Sequence, residues 1–290
     1  MKKLLLVGIM VSFGGVSSCV PPPPPESPML KITDTTFVKR DIVPAELRAG
    51  LVDYKFQGTN YQAEWITCQL KKSKGVVFVM HRDQYGFDNK EFCTGWIGQT
   101  FLAAGYDIIT VNRPGYAGST GKPDFGGPQS IAAFEAGVTA LQKQNPVMRT
   151  IVGVWGYSTG AVAAAFFAKK HRGISWLIFG AGIYDLEDLL RTSQSSSLKQ
   201  EINGVVKSFG NKGIEERSIA YDVEGLPKKI QIYHGKLDVV VPAAHAQAFR
   251  DALASAEFDV TFQILDGVSH EIPVAPHSQI LEVLLHALSQ

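Results

Sequence analysis

Trp155-Gly156-Tyr157-Ser158-Thr159-Gly160 contains a Gly-x-Ser-x-Gly pentapeptide at the boundary between a predicted strand and a predicted helix. Residues 150–155 form a short, β-branched apolar run of strand length, and residues 161–170 are rich in Ala and Phe, as expected of a helix. A serine at such a junction lies on a turn too tight for a Cβ two positions to either side, and its hydroxyl stands beside the first N–H groups of the helix. The pattern predicts a nucleophilic serine. The alternative is an ordinary glycine-rich turn in which Ser158 caps the helix.

The sequence around this motif alternates between strand and helix patterns. Apolar runs of strand length recur at 75–80, 107–111, 174–179, 229–234 and 259–265. Besides the helix after Ser158, helical segments are predicted at 96–104, 130–144, 242–254 and 278–288, and Ser130 is the expected N-cap of the second. Such alternation predicts an α/β fold with a mostly parallel, doubly wound sheet and ligands at the carboxyl ends of its strands.

Two segments depart from this alternation. Residues 51–57 and 62–70 alternate apolar and polar side chains around Gly58-Thr59-Asn60, which predicts an N-terminal antiparallel hairpin. Residues 183–226 are rich in Ser, Gly and charges, and they interrupt the core strands on the ligand-binding edge of the sheet. They are either a small lid insertion or a pair of ordinary surface helices.

An acid and a base suited to activate Ser158 follow two later strands. A serine hydroxyl is a weak nucleophile until a base accepts its proton, and the base works best when a carboxylate orients it. The strand at 229–234 leads into a loop with Asp238, and the strand at 259–265 leads into a loop with His270. The order Ser158, Asp238, His270 is that expected of a hydrolase on a doubly wound sheet. These three residues are the predicted catalytic nucleophile, acid and base.

Other acids and histidines compete for these roles. Asp185 also follows a predicted strand, and Asp266 lies too close to His270 in sequence to orient it easily. The phrase Gly-x-x-Asp-x-x-x-Pro at 235–242 favours Asp238 over Asp185. We expect His234 to pack behind the Asp238 loop and His81 to shape the loop after the first apolar strand. Surface or core positions suit the remaining histidines, His171, His245 and His277.

Three segments carry a resemblance to a known family. The phrase His234-Gly235-Lys236-Leu237-Asp238-Val239-Val240-Val241-Pro242 is similar to the segment around the catalytic acid in α/β-hydrolases of the dienelactone-hydrolase-like and prolyl-oligopeptidase-like groups. Gly267-Val268-Ser269-His270 resembles their catalytic-histidine loop. Asn112-Arg113-Pro114-Gly115-Tyr116-Ala117-Gly118-Ser119 resembles their glycine-rich turn after the strand that precedes the nucleophile's strand. The resemblance covers residues 74–290 and implies the α/β-hydrolase fold.

The sequence departs from the family in the loop that supplies the oxyanion hole. Relatives commonly have His-Gly-x after the first parallel strand, whereas this chain has His81-Arg82-Asp83. By position, the oxyanion donors are the backbone N–H groups of Thr159 and of Asp83, or of Arg82 in place of Asp83. The same departure raises the alternative that Arg82 or Asp83 contacts a substrate.

The N-terminus resembles that of a bacterial lipoprotein. Met1-Lys2-Lys3 precedes an apolar run at 4–16, which is too short for a membrane-spanning helix because such a helix needs ~20 residues. Val16-Ser17-Ser18-Cys19 resembles a lipobox, so residues 1–18 are expected to be removed and Cys19 lipidated, with a soluble secreted protein as the alternative. Residues 19–30 are then a proline-rich tether, and 31–290 the hydrolase domain. Val20 resembles the sorting residue of lipoproteins that reach the outer membrane and face the periplasm.

Composition limits the partners and cofactors that we expect. The chain has 28 basic and 27 acidic residues with no basic patch, which argues against a nucleic-acid partner. No Cys/His spacing fits a zinc site, and acyl transfer by a serine needs no metal or organic cofactor. Besides Cys19, the cysteines are Cys68 and Cys93. We expect two buried free thiols there, with a disulfide bridge as the alternative.

These features together predict a membrane-tethered serine hydrolase. The expected substrate is a small or lipid acyl ester, because the few residues before the first parallel strand leave no room for the large propeller of prolyl-oligopeptidase-type peptidases. The alternatives are a serine peptidase or amidase of the same fold, and a non-catalytic envelope lipoprotein that keeps the hydrolase fold.

Overall fold

A computed structural model of the protein describes residues 42–82, 86–144 and 150–288. The predicted signal peptide, the lipidation site Cys19 and the tether lie outside the described residues. Eight strands form a single sheet in the order β1-β2-β4-β3-β5-β6-β7-β8. The strands are β1 Glu46–Phe56, β2 Thr59–Gln69, β3 Val76–Met80, β4 Asp107–Val111, β5 Ile151–Tyr157, β6 Trp176–Gly180, β7 Lys229–Gly235 and β8 Asp259–Leu265.

The sheet is mostly parallel, with an antiparallel hairpin at one edge. Strand β1 pairs antiparallel with β2, and β2 pairs antiparallel with β4. All the pairings from β4 through β3, β5, β6 and β7 to β8 are parallel. Every residue of β3, β4 and β6 is buried, because helices cover both faces of a parallel sheet. The predicted α/β-hydrolase architecture with its N-terminal hairpin is therefore confirmed.

The described residues contain seven helices: α1 Trp96–Ala103, α2 Pro128–Gln144, α3 Thr159–Lys170, α4 Leu186–Thr192, α5 Ser196–Glu215, α6 Ala243–Ser255 and α7 Val274–Leu288. Helices α2, α3 and α6 contribute to one hydrophobic cluster, and α1 and α7 contribute to another. None of the helices in the described part of the chain is long and apolar enough to cross a membrane.

Helix α2 begins earlier than its expected N-cap. It starts at Pro128, so Ser130 lies in its first turn and is not its N-cap. The carboxylate of Asp124 accepts hydrogen bonds from the backbone N–H groups of Gln129 and Ser130, at 2.9 and 3.0 Å. Proline suits the start of a helix because it has no N–H to satisfy there.

The insertion at 183–226 is helical and packed against the core. It contains α4, α5 and a short 3-10 turn at Ile219–Tyr221. Helix α5 has a kink at Gly210, where φ is 65°. Leu189, Leu198 and Ile202 pack in one hydrophobic cluster with Val162 of α3 and Val241 of the loop after β7. The insertion therefore rests on both the nucleophile helix and the loop that carries Asp238.

Cys68 and Cys93 form a disulfide bond, with their Cα atoms 5.6 Å apart. The expectation of two free thiols was wrong. Cys68 lies on β2, and Cys93 lies in the turns that precede α1. Both are buried in the cluster beneath α1 and α7, so the fold brings their side chains together. The bond fastens the segment between β3 and α1 to the antiparallel edge of the sheet.

Reduction of this disulfide is expected to lower the free energy of unfolding by roughly 3 kcal/mol, because the bond closes a loop with a sequence separation of 25 residues. Urea unfolding with and without reductant measures the difference. The Cys68→Ala, Cys93→Ala double variant is the control, since its stability should not respond to reductant. Equal stability of the oxidised and reduced wild-type protein would contradict the prediction.

Candidate active site

Ser158 lies on the sharp turn between β5 and α3. Its backbone has φ 54° and ψ −121°, a conformation that residues other than glycine rarely adopt. A Cβ at position 156 would lie 2.5 Å from the carbonyl oxygen of Gly160, and one at position 160 would lie 2.5 Å from that of Met80. Both positions therefore require glycine, and the strained turn lifts the Ser158 side chain above the carboxyl edge of the sheet.

Ser158, His270 and Asp238 form a continuous hydrogen-bonded chain. The Ser158 hydroxyl lies 3.0 Å from Nε2 of His270. Nδ1 of His270 lies 2.7 Å from Oδ2 of Asp238. The three residues follow β5, β8 and β7 respectively, and all three are at least nine-tenths buried. The structure thus brings together the predicted nucleophile, base and acid in the order that proton transfer requires.

Asp238 is held as a carboxylate by donors on both of its oxygens. Oδ1 accepts hydrogen bonds from the backbone N–H groups of Val240 and Val241, at 2.9 and 2.8 Å. Besides the His270 contact, Oδ2 lies 3.1 Å from Nε2 of His234. Burial opposes ionisation of this carboxyl group, but the hydrogen bonds from His234 and His270 outweigh it and lower the pKa of Asp238 to about 2. Asp238 therefore stays charged and able to orient His270.

The low pKa of Asp238 predicts a loss of stability in acid. A carboxyl group whose pKa falls from 3.8 to about 2 on folding contributes about 2 kcal/mol of stability. Because the folded-state pKa is the lower one, this contribution is complete above the unfolded value and is lost as the pH falls towards 2.

Urea unfolding of the wild type and of Asp238→Asn between roughly pH 5 and pH 2 measures this effect. The stability advantage of the wild type is expected to shrink as the pH falls. A difference that stays constant across this range would contradict the prediction.

Tyr157 connects the nucleophile strand to the base loop. Its hydroxyl donates a hydrogen bond to the backbone carbonyl of His270 and accepts one from the N–H of Ile272, at 3.4 Å. Burial raises the pKa of Tyr157 above its ordinary value, so the phenol keeps its proton and remains a donor. The residue before the nucleophile therefore fixes the backbone of the residue that serves as its base.

The loop after β3 passes close to the start of α3. Nε2 of His81 accepts a hydrogen bond from the N–H of Arg113 at 3.2 Å, and its Nδ1 donates one to the carbonyl of Arg82 at 2.7 Å. The buried guanidinium of Arg113 donates to Oγ1 of Thr159 at 3.3 Å. Thr159 opens α3, so its backbone N–H belongs to the positive end of that helix.

The second predicted oxyanion donor, Asp83, lies outside the described residues. Its neighbour Arg82 is described, and its guanidinium forms an ion pair with the carboxylate of Glu271, which follows His270. Arg82 therefore links the loop after β3 to the base loop. Thr159 and Asp83 both remain predictions as oxyanion donors.

The competing residues occupy other places. Asp185 caps α4, where Oδ1 accepts from the N–H of Asp188 at 3.0 Å, and Asp266 pairs with Lys236. His245 is a buried residue of α6 that contacts the insertion. Its Nδ1 lies 2.7 Å from Oδ2 of Asp188, and its Nε2 accepts from the N–H of Tyr184 at 3.0 Å. With both nitrogens engaged, His245 holds the insertion in place and has no proton-accepting position to offer a substrate.

Sequence reasoning missed the parts of the site that support the three central residues. It predicted that His234 packs behind the Asp238 loop but not that its imidazole contacts the Asp238 carboxylate. The spacing of four residues between them could have indicated this contact. No sequence pattern indicates the roles of Tyr157 and Arg113, because these roles depend on which loops meet at the edge of the sheet. In the described residues, no group of three or more His, Cys, Asp or Glu side chains is placed to hold a metal ion.

Several solved structures share this fold. The acylaminoacyl peptidase of Pyrococcus horikoshii superposes with a TM-score of 0.66 at 14% identity, over 84% of this chain and 41% of its own. A Mycobacterium tuberculosis puromycin-hydrolyzing peptidase superposes with a TM-score of 0.66 at 20% identity, over 85% of this chain and 39% of its own. This chain thus spans about two fifths of the length of these peptidases. A Pyrococcus furiosus esterase superposes with a TM-score of 0.62 at 18% identity, over 84% of this chain and 90% of its own.

Sequence comparison supplies the family. No curated protein matches the chain. The family model of the X-Pro dipeptidyl-peptidases, family S15, matches residues 57–251, which is more than half of the chain and includes Ser158 and Asp238. The protein therefore belongs to the X-Pro dipeptidyl-peptidase (S15) family and is a serine hydrolase of the α/β-hydrolase superfamily.

Proposed function

We propose that this serine hydrolase cleaves carboxylic esters through an acyl-enzyme on Ser158. The observation that carries the proposal is the unbroken hydrogen-bonded chain from Ser158 through His270 to Asp238, with distances of 3.0 and 2.7 Å. These lengths lie within the range that proton transfer between a nucleophile and its base requires.

The chemistry follows from this arrangement. Oγ of Ser158 attacks the ester carbonyl carbon while Nε2 of His270 accepts the hydroxyl proton. The tetrahedral intermediate collapses when the bond to the leaving alcohol breaks, and His270 returns its proton to the alcohol oxygen. Water then attacks the acyl-enzyme by the same route, with His270 again as the base, and releases the acid. Asp238 fixes the imidazole tautomer and stabilises the imidazolium that forms in each step.

Positive charge beside Ser158 favours the oxyanion. We assign one donor to the backbone N–H of Thr159, at the start of α3, and the second to Asp83. The Arg113 guanidinium contacts the Thr159 hydroxyl from a buried position, where its charge is poorly screened. Arg113 thus acts as a positioning residue that holds the first turn of α3 and favours negative charge nearby.

Peptide or amide hydrolysis is the second candidate, and the family match supports it. The ester proposal draws support from the Pyrococcus furiosus esterase, whose fold matches this chain over most of both lengths. Both reactions use the same acyl-enzyme and differ in the leaving group, since an amine must be protonated by His270 before it departs. The site geometry serves either reaction, so direct measurement has to separate them.

Turnover of p-nitrophenyl esters of graded acyl length, compared with p-nitroanilides of short peptides that include Ala-Pro, tests this assignment. We expect kcat/KM for the esters to exceed that for the anilides by at least about a hundredfold, with Ser158→Ala inactive on both. Faster cleavage of the Ala-Pro anilide than of any ester would make the protein a peptidase and overturn the ester assignment.

We also propose that the enzyme is anchored to the cell envelope by lipid on Cys19, at the outer membrane and facing the periplasm. The lipobox-like Val16-Ser17-Ser18-Cys19, the proline-rich segment after it and Val20 support this location. The Cys68–Cys93 disulfide is also in keeping with an oxidising compartment. A tether of this kind would hold the hydrolase domain near the membrane surface.

Fractionation of cells that express the full chain tests the anchor. The wild-type protein should be recovered with the outer membrane and incorporate labelled palmitate. The Cys19→Ser variant should lose the label, whereas Cys68→Ser should keep it. A wild-type protein that is soluble and unlabelled would contradict lipid anchoring.

A further inference from the structure

A cavity of about 330 Å³ lies next to the catalytic residues, on the side of the sheet covered by α1 and α7. Its walls come from the loop after β3, from α1, from the end of β5 and from the segment after His270. The lining residues include Trp96, Trp155, Tyr157, Ile272, Val274 and His277.

The cavity adjoins the reacting atoms. Tyr157 immediately precedes Ser158, and Glu271 and Ile272 immediately follow His270. His81 and Arg82 belong to the loop from which the second oxyanion donor is predicted. The cavity wall therefore contains the residues next to both the nucleophile and the base along the chain, although Ser158 and His270 do not line it themselves.

The floor of the cavity is aromatic and uncharged. The Trp155 indole N–H donates to the hydroxyl of Tyr233 at 3.0 Å, and that hydroxyl lies 2.5 Å from Nε2 of His277. Burial and, to a lesser extent, the charge of Arg82 together lower the pKa of His277 to about 3, so this imidazole is neutral at physiological pH. The ring of Trp96 packs on His277 with centroids 4.4 Å apart. These polar atoms engage one another, which leaves ring surfaces to face the cavity.

The charged groups that the structure describes in the wall neutralise each other. Arg82 and Glu271 form an ion pair, and both are partly exposed, with side-chain exposures of 29% and 68%. They therefore belong to the solvent side of the cavity, while the aromatic residues lie deeper. A charged ligand group would lose its hydration here without gaining an unpaired partner among these described residues.

We propose that this cavity is the specificity pocket of the enzyme and takes an uncharged aromatic group of the substrate. The inference rests on the proposed ester hydrolysis at Ser158. An apolar cavity of about 150 Å³ already holds a benzene molecule, so this one has room for a phenyl or indole ring with its linker. Ring-on-ring contacts with the tryptophans and Tyr157 favour aromatic over aliphatic groups of equal size.

Filling the cavity tests the proposal. Val274 lines the cavity and is 40% exposed, so Val274→Trp adds bulk without disturbing the core. The matched control is Ala103→Trp, an exposed position that lines a separate cavity of about 290 Å³ near the other end of α1. Each variant is assayed on ethyl acetate, on ethyl 3-phenylpropanoate, with its ring on the acyl side, and on benzyl acetate, with its ring on the alcohol side.

We expect Val274→Trp to lower kcat/KM for one of the two aromatic esters by about 10- to 100-fold relative to kcat/KM for ethyl acetate. The ester that is affected identifies whether the acyl or the alcohol group occupies the cavity. Ala103→Trp should alter none of the three. Equal effects of Val274→Trp on aromatic and aliphatic esters, or no effect on any, would overturn the proposal.

A binding measurement keeps the pocket testable without catalysis. Benzyl alcohol should quench or shift the tryptophan fluorescence of Ser158→Ala, because Trp96 and Trp155 line the cavity. The Val274→Trp, Ser158→Ala double variant should bind at least tenfold more weakly, as read by competition or by NMR of the ligand. If Ser158→Ala binds benzyl alcohol but the wild type hydrolyses no ester, the pocket is supported and the ester assignment is contradicted. No binding to Ser158→Ala would contradict the pocket.

Discussion

Replacement of Ser158 by alanine is expected to lower kcat for ester hydrolysis by roughly 10⁴- to 10⁶-fold, with KM nearly unchanged. The substitution removes the only atom that becomes bonded to the substrate, and the remaining hydrogen bonds and binding surface give the residual rate. Initial-rate measurements on a p-nitrophenyl ester provide both constants. Burst kinetics on the wild type, with a burst equal to the enzyme concentration, should disappear in the variant.

A thermal melt separates this result from loss of structure. Alanine retains the Cβ of Ser158 and removes one hydroxyl, so the melting temperature should change by no more than a few degrees. Ser130→Ala, at a buried serine in α2, is a matched control because it removes a similar buried hydroxyl away from the site. Its activity should stay close to that of the wild type. Activity of Ser158→Ala within tenfold of the wild type would show that another group is the nucleophile.

Replacement of Asp238 by asparagine is expected to lower kcat by about 10⁴-fold. The amide has nearly the shape of the carboxylate, but it no longer carries the charge that stabilises the imidazolium. Its NH₂ group can also face Nδ1 of His270, which then becomes the acceptor and places the proton on Nε2, the atom that must accept from Ser158. The same initial-rate assay measures the loss.

The pH profile distinguishes this mechanism from a structural effect. If the wrong tautomer limits the variant, its activity should rise steeply at alkaline pH, where hydroxide supplies the missing base. Asp185→Asn is the control, since Asp185 contacts Asp188 and Tyr221 and lies on the cap of α4. That variant should retain most of the activity. A larger loss of activity in Asp185→Asn than in Asp238→Asn would show that the catalytic acid is Asp185, in the loop after β6.

The positions of the three central residues follow from sequence because they depend on local patterns. A strand is short and apolar, a parallel sheet places all its carboxyl ends at one edge, and loops at that edge carry the polar residues. Ser158, Asp238 and His270 each lie just after such a run, so the topology brings them together. The strands themselves were predictable for the same reason, since residues buried on both faces leave a continuous apolar run.

The features that depend on contacts between distant segments were not predictable in this way. Cys68 and Cys93 meet because the segment before α1 packs against β2. The sequence around each cysteine gives no sign of this packing. The carboxylate of Asp124 accepts hydrogen bonds from the first turn of α2, so this residue, and not Ser130, caps the start of the helix. Helix α7 begins at Val274, earlier than its expected start at Ser278, because Pro276 is tolerated in the first turn of a helix.

Mass spectrometry of the protein after treatment with a fluorophosphonate tests the acyl-enzyme mechanism most directly. The reagent bonds to an activated serine and leaves untouched a serine without a base. We expect the intact mass of the wild type to increase by one adduct, with the modified peptide containing Ser158, and we expect no adduct on Ser158→Ala or His270→Ala. An unmodified wild-type protein that is folded, or an adduct on a different residue, would contradict the assignment of Ser158 as the nucleophile.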